Sequence, residues 1–165
     1  MTKSRLATPA DLDPIAGIYA HYVASSTATF ELTPPDRAEW DRRYATIVAT
    51  GLPFLVTEVD GEIAGYAYCS PWKTRPAYRL SVEDSIYLAP WATGRGLGGA
   101  LLDDLLAACT ATGLREVIAV ITDNPDPASL ALHRRRGFRD AGRLTAVGYK
   151  HGTWLDTLLL QRSLH

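Results

Sequence analysis

At 165 residues, 47% of them hydrophobic and 21% charged, the chain has the size and composition of one globular domain, spanning residues 1–165, with room for a sizeable core. Its 17 Lys+Arg against 18 Asp+Glu leave a formal net charge of -1, so no basic excess advertises nucleic acid, and no apolar run approaches the length of a membrane span. Cys69 and Cys109 lack C-x-x-C spacing, which argues against a zinc site and a disulfide framework; both read as small buried hydrophobes.

From the N-terminus, Met1-Thr2-Lys3-Ser4-Arg5 leads into no apolar signal segment, and the expected location is the cytoplasm. Lys3 to Ala7 reads as a short edge strand. Thr8 as N-cap, Pro9 at the first helical position and Asp11 three after the cap start a helix whose apolar face carries Ile15, Ile18, Tyr19 and Tyr22. Ser25 to Glu31 interrupts it, and Pro34-Pro35-Asp36 opens a second helix that Gly51 ends. Pro53 to Val59 and Glu62 to Cys69, joined by Asp60-Gly61, form a hairpin. After a loop from Ser70 to Leu80, Ser81 to Ala89 is a central strand, rich in β-branched and aromatic residues. A helix runs from Gly96 to about Thr112, Val117 to Ile121 is a buried strand, and Ala128 to Arg136 is a short helix. Two strands, near Phe138 to Val147 and Trp154 to Gln161, finish the chain.

The central strand is followed by Gly94-Arg95-Gly96-Leu97-Gly98-Gly99, which runs directly into a helix. Glycines at such a junction let a ligand come close to the backbone, and the helix start offers unpaired N–H groups and a positive dipole end. That is an anion site, most often for phosphate. Gly94, Gly96 and Gly99 satisfy the G-x-G-x-x-G of a dinucleotide-binding fold, which would make the protein a nucleotide-dependent oxidoreductase. Against that reading, Pro90 to Thr93 separate strand from glycines, and only about 65 residues follow, too few for the second half of such a sheet.

The same turn resembles the acyl-CoA pyrophosphate loop of the GNAT acetyltransferases, [Arg/Gln]-x-x-Gly-x-[Gly/Ala], with Gly96 and Gly98 as its small positions and Thr93 where the family prefers Arg or Gln. The likeness is nearer still to the branch containing phosphinothricin N-acetyltransferase. Ser26-Thr27-x-x-Phe30, Pro71-Trp72-Lys73-x-Arg75-x-Ala77-Tyr78, Glu83, Tyr87, Leu132-His133 and Gly148-Tyr149-Lys150-His151-Gly152-x-Trp154-x-Asp156 carry it along nearly the whole chain. The resemblance implies an α/β mixed sheet of the GNAT acyl-CoA N-acyltransferase fold, whose central parallel strands splay apart. It implies acetyl-CoA as cosubstrate, no metal, a small amino-acid-like acceptor and a homodimer.

Acetyl transfer to an amine needs a base, a group that stabilises the oxyanion and a proton for the departing thiolate. Glu83 is the candidate base, while Asp84 on the opposite face of a regular strand is the less suitable actor. His133 stands where many GNAT enzymes have a tyrosine that protonates the thiolate, and it reads either as that donor or as a helix residue packed beside the cofactor. The backbone of Ile86, Tyr87 and Leu88 is expected to pair with the pantetheine arm, and Gly94, Arg95, Gly96, Leu97, Gly98 and Gly99 to hold the pyrophosphate. Asn124 is the expected contact to the arm, although Asp126 occupies the family's usual spacing before His133. Phe30, Glu31, Arg75 and Tyr78 are the candidate acceptor-binding residues, with Arg75 suited to bidentate contact with a carboxylate or phosphinate. Trp154 is expected to pack and Asp156 to tie the last strands together. No residue reads as an acyl-carrying nucleophile, which points to direct attack; a non-catalytic acyl-CoA sensor is the other alternative.

Overall fold

A computed structural model describes residues 4–165, in the element order that the sequence predicts. Strand β1 is Ser4–Leu6; Lys3, where the sequence begins it, lies outside the described residues. A 3-10 turn over Pro9–Asp11 precedes helix α1, Leu12–Ser25. The Thr8 amide donates to Asp11 Oδ2 at 2.7 Å and Arg5 clasps the same carboxylate, so the capping pattern starts the helix, with its first turn wound tighter than an α-helix. Helix α2 is Arg37–Ala49, capped by Asp36, whose side chain accepts from the Glu39 amide. Strands β2 (Phe54–Val59) and β3 (Glu62–Pro71) form the hairpin around Asp60 and Gly61, both at positive φ.

Strand β4 (Ser81–Leu88), helix α3 (Leu97–Ala111), strand β5 (Glu116–Thr122), helix α4 (Ala128–Arg135) and the hairpin β6 (Arg139–Lys150) and β7 (Thr153–Ser163) complete the chain. All seven strands join one sheet in the order β1-β2-β3-β4-β5-β7-β6. Only β4 and β5 run parallel, and their pairing ends at Glu83↔Ile118. Beyond that point β4 goes on to Leu88 with β3 as its only partner, and β5 goes on to Thr122 with β7. A wedge opens between them. A doubly wound dinucleotide fold needs a run of parallel strands, so the single parallel pair rules out the oxidoreductase reading.

Two apolar clusters cover the faces of the sheet. One, under α1 and α2, contains Leu12, Ile15, Trp40, Val56 and Tyr66; the other, under α3, contains Leu101, Leu102, Leu105, Val82, Val117 and Leu160. β4 alternates between them: Tyr87 packs into the first, Val82 and Ile86 into the second. Cys69 and Cys109, far apart in sequence, meet inside the second cluster with sulfurs 3.4 Å apart, both free thiols and both buried. Their mutual contact and burial raise the Cys69 pKa, so no nucleophile is prepared there.

Candidate active site

The wedge between β4 and β5 widens into a cavity of about 660 Å³, walled by β4 from Glu83 to Leu88, β5 from Ala119 to Thr122, the start of α3, α4 and the loop after α1. Its floor contains two buried polar atoms without a protein partner, Asp84 Oδ1 and Thr157 Oγ1, as suits a cleft that a polar arm completes. At one end Gly96 takes φ +78° as the residue before α3, and a side chain would be strained there. No side chain caps α3, so the amides of its first turn lack a side-chain partner, and Gly98 of that turn lines the cavity; Gly94, Arg95, Gly96, Leu97 and Gly99 do not. Arg95 makes no ion pair among the described residues. The Arg136 guanidinium lies against Gly99 while pairing with Asp103, bringing a second cation to this end. The Thr93 hydroxyl donates to the Pro90 carbonyl at 3.0 Å and closes the preceding turn rather than standing in for a longer polar side chain. The residues present therefore fit an acyl-CoA: a strand-like slot for its arm and an anion cradle for its phosphates.

At the other end, Glu83 reaches the cavity wall from β4 on the α1–α2 side. Burial raises its pKa first, the neighbouring Asp84 charge raises it further, and Lys73 pulls it back. A carboxylate tuned upward is a better proton acceptor at neutral pH than an exposed one. Tyr19, Tyr22, Tyr68 and Tyr87 surround it with aromatic wall, and burial pushes the Tyr19 hydroxyl up to about 12, so these phenols are neutral. Phe30 and Glu31 also line the cavity, as expected, but the Glu31 carboxylate is held by Arg43 at 2.8 Å.

Asp84 and His133 form the pair that sequence reasoning missed. His133 Nε2 lies 2.7 Å from Asp84 Oδ2, and His133 Nδ1 donates to the Ser129 carbonyl at 2.7 Å. Burial favours the neutral ring, yet the Asp84 charge and the two hydrogen bonds outweigh it, so the His133 pKa is raised. Both ring nitrogens are engaged, and the ring is 2% exposed.

Asn124 and Asp126 both reach the wall, and each is committed locally. Asn124 Nδ2 donates to Thr27 Oγ1 at 3.2 Å and its Oδ1 accepts from the Asp126 amide; Asp126 in turn accepts from the Ala128 amide at the start of α4. Arg75 and Tyr78 are not in the wall. A proline starts the 3-10 turn Pro76–Tyr78 and leaves both side chains on the exposed side of the loop, Tyr78 at 43% exposure. Arg75 has no ion-pair partner among the described residues. Asp156 ties the last hairpin as expected, binding Arg143 and accepting from the Ala146 amide at 2.7 Å. Trp154 does not pack into the core: it is 66% exposed and meets only the Tyr149 ring at 5.0 Å.

The profile of the Acetyltransferase (GNAT) family matches residues 15–138. The chain belongs to the GNAT acetyltransferases. Among curated relatives of this GNAT protein, phosphinothricin N-acetyltransferase of Alcaligenes faecalis is 48% identical over 155 residues, covering 94% of this chain and 79% of the relative. L-methionine sulfoximine/L-methionine sulfone acetyltransferase of Pseudomonas aeruginosa is 38% identical over 156 residues, covering 94% and 90%. A solved phosphinothricin acetyltransferase from Sinorhizobium meliloti, in complex with AcCoA, superposes with a TM-score of 0.94 at 48% identity, covering 98% of this chain and 88% of its own. Among the described residues no group of three or more His, Cys, Asp or Glu side chains could hold a metal ion, and no helix is long and apolar enough to cross a membrane.

Proposed function

We propose that this GNAT enzyme moves the acetyl group of acetyl-CoA to the amino group of a small amino acid or analogue, with phosphinothricin, methionine sulfoximine and methionine sulfone as the acceptors to try first. The observation that carries the reading is the shared cavity, whose wall holds the raised carboxylate of Glu83 and also Thr93 and Gly98 from the glycine turn and the start of α3. Acetyl-CoA lies along the open edge of β4, its arm beside Ile86, Tyr87 and Leu88 and its phosphates at residues 94–99, with the Arg95 and Arg136 cations flanking them. A backbone N–H near Leu88 polarises the thioester carbonyl.

Glu83 takes a proton from the bound ammonium, directly or through a water. The amine lone pair attacks the thioester carbon, the C–S bond breaks as the oxyanion collapses, and the second proton shed by the attacking nitrogen goes to the departing thiolate, so that Glu83 is left with one proton to return to solvent. His133 serves this cycle by position, holding Asp84 and α4 at the floor of the wedge, since neither ring nitrogen is free. Phe30 and Glu31 bound the pocket from the loop after α1, while Arg75 and Tyr78, exposed and outside the cavity wall, are the candidates for the acidic end of an acceptor where it emerges from the cavity.

Release of CoA thiol is the measurement that tests this reading, on mixing acetyl-CoA with the three candidate acceptors and with ordinary amino acids. Release with at least one of them is expected, and Arg75→Ala should raise the KM of that acceptor by roughly tenfold while sparing the KM of acetyl-CoA. Acetyl-CoA binding without transfer to any acceptor sinks the catalytic reading in favour of a sensor.

The assembly proposed is a homodimer in the cytoplasm, where acetyl-CoA is drawn on. Leu144, Val147, Tyr149 and Trp154, each 47% exposed or more, place an apolar patch on the edge hairpin β6–β7, which a second copy covers. Sedimentation should give twice the mass of the chain, and Trp154→Arg should give a monomer.

A further inference from the structure

Lys150 is a buried cation with no part in the chemistry. It is 2% exposed, and its Nζ donates to the Thr29 carbonyl at 2.8 Å. Among the described residues no carboxylate lies within ion-pair distance of it, and Glu31, whose charge reaches it, is already bound to Arg43. Burying an ammonium for a single hydrogen bond costs more in lost hydration than the bond returns. Such a residue is not explained by stability.

Its neighbours show what it holds. Of the twelve residues of β6, only Gly148 and Lys150 are buried, and both meet the loop between α1 and α2. At Gly148 a methyl group would lie 2.3 to 2.8 Å from three atoms of the Phe30 ring, so the ring rests directly on the β6 backbone. Thr29, between Ala28 and Phe30, is clamped a second time by Tyr19, whose hydroxyl is 2.6 Å from Thr29 Oγ1. The same loop supplies Ser26, Ala28, Thr29, Phe30 and Glu31 to the cavity wall. Lys150 and Gly148 are themselves absent from that wall.

We infer that Lys150, with Gly148, is a positioning site for acceptor specificity: the end of β6 fixes the loop that carries Phe30 and Glu31, and so sets the affinity for the amine rather than for acetyl-CoA. The inference rests on the acceptor lying beside this loop, as proposed above. Its physical part, the clamp itself, does not.

The test compares wild type with Lys150→Met, which keeps the length of the side chain and removes the ammonium. Amide hydrogen exchange should quicken in residues 26–32 and stay unchanged in the β2–β3 hairpin. The KM of the amine should rise by about tenfold, while kcat and the KM of acetyl-CoA move by no more than about twofold, a split that general destabilisation does not produce. Gly148→Ala, which leaves the lysine intact and displaces Phe30, should raise the amine KM in the same selective way. Unchanged exchange at 26–32 in a folded Lys150→Met protein overturns the inference, and so does an amine KM that rises no more than that of acetyl-CoA. If Lys150→Met does not fold, Gly148→Ala decides alone. If the wild type acetylates no amine, the proposed function falls, and the exchange comparison alone decides whether the clamp exists.

Discussion

Glu83→Gln is expected to lower kcat by about 10²- to 10⁴-fold at saturating concentrations of both substrates, the usual worth of a general base. The affinity for acetyl-CoA should hold, because Glu83 stands on the α1–α2 side of β4, away from the glycine cradle at the start of α3. The pH profile gives a second check. Burial and the Asp84 charge raise the Glu83 pKa above the ordinary carboxylate range, with Lys73 opposing, so the acid limb of kcat is expected above that range. Lys73→Met removes the opposing charge and should move the limb higher still. A carboxyl whose pKa is higher folded than unfolded stabilises the fold most below its unfolded value, and that contribution is lost as pH rises through the folded value. Glu83→Gln escapes the loss, so it should match the wild-type Tm near pH 4 and exceed it near pH 8. A variant as active as wild type on a good acceptor would remove Glu83 from the chemistry.

Glu83→Gln is expected to trade activity for stability because the wedge buries much of the carboxylate away from water. The same reason explains which parts of the site were legible in the sequence. Glu83 and the turn from Gly94 to Gly99 sit on one continuous strand, turn and helix, where side-chain alternation and glycine spacing are local facts. The partners of those residues are not local. Strand alternation puts Asp84 on the face opposite Glu83, and α4 brings His133 to that second face from 49 residues away. Lys150 and Thr29 are 121 residues apart, and only the closure of the sheet by β7 and β6 joins them. The two cysteines, read correctly as buried, gave no sign of touching each other.

Surface placement was the harder problem. Trp154 is expected to pack, yet it stands on the β6–β7 hairpin at the end of the sheet, where β6 is the edge strand, and is 66% exposed. Arg75 and Tyr78 share the spacing of the related enzymes, but spacing along a loop says nothing about whether a proline-started turn points its side chains inward. Asn124 and Asp126 both reach the cavity; Asn124 Nδ2 joins the loop after β5 to the loop after α1 at Thr27, while its Oδ1 accepts from the Asp126 amide within its own loop. The wedge is therefore bounded by two loops fastened to each other, one leading into α4 and His133, the other carrying Phe30 and clamped by Lys150.

His133→Leu should be the most destabilising single change in this wall. Asp84 has a side chain 1% exposed, and one of its oxygens has no partner even in the intact protein. Removing the ring strands the buried Asp84 side chain without its partner, which costs about 3 to 5 kcal/mol. For a domain of this size that lowers Tm on the order of 10 °C. Replacing both members, Asp84→Leu with His133→Leu, should recover most of the loss, since no charge is then stranded. The wild-type advantage depends on pH with a definite sign. A histidine whose folded pKa is raised contributes fully below the unfolded value of 6.5, and loses its contribution as pH rises through the folded value. The Tm difference between wild type and the double variant should therefore shrink as the pH climbs past 6.5. The double variant also separates position from chemistry at His133. With both ring nitrogens bound in the wild type, its kcat should fall less than that of Glu83→Gln; an equal or larger fall, with acetyl-CoA binding intact, would make His133 the proton donor to the leaving thiolate.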